Sequence, residues 1–149
     1  MAVLSLLGAK IGSNVKISPN VVILYPERLQ IGNNSNIHEF SVLECKGGLS
    51  IGSGCSIAHK FSVLTTTHNI SEEGVNFRDQ GLTSRKVVIG DYCWIGAGVV
   101  ITHGVTIASG VVIGANAVVT KSVEESSLAL GIPAKVRKRL AIDVPQSNT

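Results

Sequence analysis

Few residues in this 149-residue chain can move a proton or hold a charged ligand: four histidines (His38, His59, His68, His103), three cysteines and one tryptophan stand out. His68 closes the polar run Thr65-Thr66-Thr67-His68-Asn69-Ile70, where a long insertion begins. An imidazole among polar neighbours can accept a proton near neutral pH and so act as a general base. A surface histidine that anchors a loop fits the same residues. The insertion carries Glu72, Glu73, Arg78, Asp79, Arg85 and Lys86, and long loops in compact repeats are more often functional than accidental. Trp94, beside Gly96 on a strand face, reads as a stacking surface for a ligand, with a capped exposed ring as the bland alternative. The histidines include no close pair of the kind a zinc site needs, so no metal is expected.

These residues are positioned by a repeat. An aliphatic residue recurs every six positions: Ile11, Ile17, Ile23; Ile31, Ile37, Leu43; Ile51, Ile57, Val63; Ile89, Ile95, Ile101; Ile107, Ile113, Val119. Twelve of the 15 isoleucines fall on this lattice. A period of six would scatter these residues around a helix. It suits a short strand followed by a tight turn, with the first and fifth places of each unit pointing inward. Three units close one triangular coil, which gives five coils at 11–28, 31–48, 51–68, 89–106 and 107–124. Coils stacked about 4.8 Å apart make a prism roughly 24 Å long. Cys55 and Cys93 take inward fifth places as small core residues; Cys45 lies outside that pattern and receives no assignment. The ends of such a prism expose core and backbone and need caps. The apolar segment 1–8 would serve at one end and the tail 125–149 at the other, the latter fraying from Asp143.

Composition excludes several classes. Charged residues make up 15% of the chain and apolar ones 44%, too little charge and too much hydrophobicity for disorder. Three cysteines suit reduced thiols in a cytoplasmic protein rather than a disulfide scaffold. No apolar run reaches the roughly 18 residues of a membrane span, and residues 1–8 lack the basic lead of a signal peptide. The net charge of +3 is too small to argue for nucleic acid.

The lattice resembles that of the hexapeptide-repeat acyltransferases, whose prism is a left-handed parallel β-helix. The left hand comes from that resemblance, since the general crossover rule would favour the right hand. The stretch Ile57-Ala-His-Lys-Phe-Ser-Val-Leu-Thr-Thr-Thr-His68 resembles the segment ending in the catalytic histidine of galactoside, maltose and streptogramin acetyltransferases. Ile89-Gly-Asp-Tyr-Cys-Trp-Ile-Gly-Ala-Gly98 is similar to their IGxxxWIGxx signature. The run Val105 to Ala115, Val119-Thr-Lys121 and Gly131-Ile-Pro-Ala134 continue in register, so the likeness covers residues 31 to 139. It implies a single acyltransferase domain over 1–149, with an inserted loop at about 69–86.

The resemblance also implies roles. His68 would deprotonate an acceptor hydroxyl, and the Ala97 N–H would meet the thioester oxygen. Trp94 would line the pantetheine arm of coenzyme A, with Ala115 and Thr120 along its pantetheine and adenine parts. Lys121, Lys135 and Lys138 would face its phosphates; a solvated basic tail is the other reading of those lysines. His38 stands where the sugar acetyltransferases have an asparagine, and its register would aim it at the cleft of His68, as an acceptor contact. The chain enters its first coil without the N-terminal helical segment of those enzymes, which favours a sugar or glycan hydroxyl on a polysaccharide over a free galactoside or maltose. The expectation is an acetyl-CoA-dependent O-acetyltransferase, cytoplasmic and homotrimeric, using no metal. N-acylation of an amino sugar and a non-catalytic β-helix scaffold are the alternatives.

Overall fold

The computed structural model describes residues 2–71 and 73–140; Met1, Glu72 and residues 141–149, the frayed tail expected from Asp143 among them, lie outside the described residues. Each six-residue unit forms a strand of two or three residues and a corner that starts the next sheet. Three parallel sheets result, and the aliphatic lattice stacks within them in register. Sheet A aligns Ile11, Ile31, Ile51, Ile89 and Ile107. Sheet B aligns Ile17, Ile37, Ile57, Ile95 and Ile113. Sheet C aligns Ile23, Leu43, Val63, Ile101 and Val119. From the second coil onward every one of these side chains is buried, whereas Ile11, Ile17 and Ile23 at the open end are only partly covered.

The corners explain the rest of the repeat. A Cβ on Gly96 would lie 2.6 Å from the Ala115 nitrogen of the next coil, so only glycine lets the backbones stack there. The fourth place is left-handed in most units, those at Pro26, Lys46, Thr66 and Ser122 excepted, and Asn14, Asn34, Asn116 and Gly98 suit that conformation. Phe40, Lys60 and Tyr92 adopt it as well, at φ of 60, 59 and 55°.

Several expectations change in detail. Cys45 is not outside the inward pattern: the strand Val42–Glu44 keeps its alternation one residue further, with Leu43 in, Glu44 out and Cys45 fully buried. Burial raises its thiol to about 12, with the charges of Glu44 and Glu27 adding to the effect. Coil three does not run to residue 68. The chain leaves the prism after the buried Thr65, and Thr66–His68 pairs antiparallel with Leu82–Ser84 as the two arms of a hairpin. The prism also extends past residue 124 into a partial sixth coil, because Ser127–Leu130 joins sheet B in parallel beside Val112 and Ile113. Its inward residues are Ser127 and Ala129, too small to show on an aliphatic lattice. Lys135–Arg139 then folds back antiparallel as the outermost strand of sheet B, with all five residues exposed. At the other end the helix Ala2–Leu6 sets Leu4 against the core but leaves Val3, Leu6 and Leu7 exposed, a partial cap.

Candidate active site

His68 ends the outgoing arm of the hairpin and is exposed. The arm is tied to its partner by Asn69, whose Nδ2 donates to the Gln80 carbonyl (3.0 Å) and whose Oδ1 accepts from the Thr83 hydroxyl (2.6 Å). The His68 Nδ1 lies 3.1 Å from the Phe77 carbonyl oxygen. A carbonyl can only accept, so this contact assigns the proton to Nδ1 and leaves the Nε2 lone pair free. That is the tautomer a general base requires.

The root of the same arm is held by Glu44, a residue to which the sequence assigned no role. Its carboxylate accepts from the Lys46 N–H (2.9 Å), the Thr65 N–H (2.7 Å), the Thr65 hydroxyl (2.9 Å) and the Thr66 hydroxyl (3.2 Å). Burial pushes the Glu44 carboxyl up, but these donors together outweigh it and hold the group below the ordinary glutamate range. The available signal was an acid between Leu24 and Leu64 on the outer face of sheet C.

The residues implied for coenzyme A fall into two groups. Trp94 stands on the outer face of sheet B, 56% exposed, between Ser56 and Val112. The same row continues through Leu128 to its cross-strand partner Lys138, and Lys135 lies opposite Leu130. Ala97 and Ala115 occupy the adjoining corner between sheets B and C on successive coils, where neither N–H finds an acceptor among the described residues. Two free N–H groups beside an exposed indole can receive a carbonyl or amide oxygen.

Thr120 and Lys121 lie elsewhere, at the corner between sheets C and A. They line a cavity of about 660 Å³ with Thr66, Thr67, Arg85 and His103. Neither Arg85 nor His103 had been given a ligand by sequence reasoning. His68 belongs to this side of the prism by its arm.

His38 does not share the cleft of His68 within one chain. Its N–H donates to Ile57 O, which sets it over Ala58 at the corner between sheets B and C, while His68 rises from the opposite edge of sheet C. There it is exposed, with Nδ1 3.6 Å from the Glu39 carboxylate. Between the two corners the outer face of sheet C carries an apolar row of Val22, Val42, Val100 and Val118, broken by Ser62, beside the row of Leu24, Glu44 and Leu64.

Among the described residues no group of three or more His, Cys, Asp or Glu side chains could hold a metal ion, and no helix is long and apolar enough to cross a membrane.

The chain is similar to known proteins in sequence and in fold. The family described as bacterial transferase hexapeptide (six repeats) matches residues 86–121. Over 133 residues, 89% of this chain and 70% of the relative, the chain is 34% identical to the putative colanic acid biosynthesis acetyltransferase WcaF of Escherichia coli. It is 32% identical, over 89% of this chain and 64% of the relative, to the galactoside O-acetyltransferase of Escherichia coli. The hexapeptide-repeat acetyltransferase VCA0836 of Vibrio cholerae, solved with acetyl coenzyme A, matches with a TM-score of 0.87 at 27% identity, covering 95% of this chain and 76% of that one. The shared fold makes the prism a left-handed parallel β-helix.

Proposed function

The chain belongs to the hexapeptide-repeat acetyltransferases and uses acetyl-CoA as its donor, and on that premise we propose that the acceptor is a sugar or glycan hydroxyl and that His68 is the general base. One observation carries the reading: the contact of His68 Nδ1 with the Phe77 carbonyl, which leaves Nε2 free at the mouth of the hairpin. Nε2 takes the hydroxyl proton as the acceptor oxygen attacks the thioester carbon. The carbonyl oxygen gathers negative charge against the Ala97 N–H. The carbon–sulfur bond then breaks, and the imidazolium returns its proton to the departing thiolate. No enzyme nucleophile is required. The sugar acceptor is supported by the names of the relatives, which include galactoside and maltose O-acetyltransferases.

Assembly completes the site in this reading. Trp94, Ala97 and Ala115 face away from His68, Thr120 and Lys121 on one prism, and the apolar face of sheet C separates them. A homotrimer would cover that face and bring the B–C corner of one copy, with its Trp94 and His38, to the C–A corner of the next. Patches of this kind are rarely left to solvent, and sedimentation at micromolar concentration tests the point: a stable monomer is inconsistent with a complete site.

His68→Ala tests the base. It should lower kcat by about 10² to 10⁴, the usual contribution of a positioned base, with coenzyme A affinity nearly intact. His59→Ala is the control, since His59 lies on an exposed turn of the prism. Retention of more than about a tenth of kcat would remove His68 from the mechanism.

A further inference from the structure

The cavity at the corner between sheets C and A has a charge pattern of which the reading above uses only Lys121. Three basic side chains enter it from three successive coils. Arg85 is fixed at the level of coil three, its N–H donating to Thr65 O at 2.9 Å and its carbonyl accepting from Gly104 N–H at 3.3 Å. His103 follows on coil four, and Lys121 on coil five. Coils are spaced about 4.8 Å apart, so the ladder spans roughly 10 Å. No carboxylate lines the cavity, and among the described residues neither Arg85 nor Lys121 makes an ion pair.

The arrangement is built rather than incidental. Gly104 has φ of 75° and no side chain, and the Arg85 stem lies across it: a Cβ there would be 3.2 Å from Arg85 Cδ. The hydroxyls of Thr67 and Thr120 have no hydrogen-bond partner among the described residues, and both line the same space. Like charges held two rungs apart repel one another, and each loses hydration in a concave site. An anion with several acceptor oxygens reverses both effects, and a guanidinium fork beside an ammonium and two hydroxyls matches phosphate.

We propose that Arg85 and His103, together with Lys121, form a phosphate-binding site in this cavity, rather than Lys121 acting alone as one basic group of the tail. The inference rests on the acetyl-CoA reading, because the donor supplies phosphate in two forms, a pyrophosphate and a ribose 3′-phosphate. A phosphorylated acceptor presents the same chemistry. The site takes the donor's phosphate when coenzyme A reaches from Trp94 of one copy to this corner of its neighbour.

Calorimetric titration of the assembled protein with coenzyme A, with dephospho-coenzyme A and with glucose 1-phosphate separates the sources. Arg85→Ala is expected to weaken coenzyme A about tenfold, the scale of one charge-assisted contact, with Arg85→Lys restoring part of the loss and His103→Gln giving a smaller one. A penalty confined to coenzyme A places the 3′-phosphate in the cavity. An equal penalty on dephospho-coenzyme A places the pyrophosphate there. A penalty on glucose 1-phosphate alone keeps the phosphate site and assigns it to the acceptor. If all three ligands bind Arg85→Ala and His103→Gln as they bind wild type, the site does not exist. Failure of the wild-type protein to bind coenzyme A would instead overturn the donor reading itself.

Discussion

Replacing Glu44 should loosen the arm that carries His68, the proposed base, without touching the chemistry directly. Thr65 is fully buried and Glu44 half-buried. Glu44→Ala orphans the Thr65 N–H and one face of its hydroxyl, while the other still accepts from Gly47 N–H at 2.7 Å. An orphaned buried donor costs about 1–3 kcal/mol, and each remaining bond nearer the surface contributes about 0.5–1.5 kcal/mol. Because these bonds share one carboxylate they are not additive, and a total of about 3 kcal/mol is expected. Glu44→Gln keeps an oxygen toward Thr65 and Thr66 but turns its amide donors on the Lys46 N–H, for a cost of about 1–2 kcal/mol. The carboxyl is held below the ordinary glutamate range in the folded protein. Its stabilisation is therefore fully present above the unfolded value of about 4.3 and fades as pH falls through the lower folded value. The gap between wild type and Glu44→Gln in urea unfolding should stay constant from pH 8 to about 5 and shrink below about 4.3. Because Thr66 leads directly into His68, Glu44→Ala should also lower kcat by about 10- to 100-fold, the effect of a misplacement near 1 Å, with the acetyl-CoA KM little changed. A variant within about 0.5 kcal/mol of wild type, with unchanged kcat, would refute the claim that Glu44 holds the arm.

Two further outcomes follow from the stacking. Gly96→Ala would drive a methyl to 2.6 Å from the Ala115 nitrogen, which should cost about 1–3 kcal/mol and weaken coenzyme A more than the acceptor; calorimetry and thermal melts check both. All three cysteines are buried, with the Cys45 thiol raised to about 12 by burial first and neighbouring carboxylates second, so a thiol-reactive dye should find almost no reactive sulfur at pH 8 until the protein unfolds.

The prism itself was legible in the sequence, because its stabilising contacts repeat. Each of Ile31, Ile51, Ile89 and Ile107 sits on the one before it, so a single physical requirement, an aliphatic at each layer of the core, is written into the chain every six residues. The partial sixth coil escaped, since Ser127 and Ala129 fill a narrowing end with small side chains and leave no aliphatic mark. His68 stood out as the candidate base by its place before the insertion and by resemblance, but its contact with a carbonyl nine residues away was not legible. Glu44 holds Thr65 across 21 residues, and Arg85, His103 and Lys121 converge from three coils; nothing in their local sequence sets them apart from surface charges. That His38 and His68 lie at different corners of one chain was hidden for the same reason. Periodicity states which residues share a layer and which face inward, whereas the corner a residue occupies depends on the accumulated length of every preceding turn. The chain alone determined the core and the repeat; which polar groups share a corner was decided only by closing the coils.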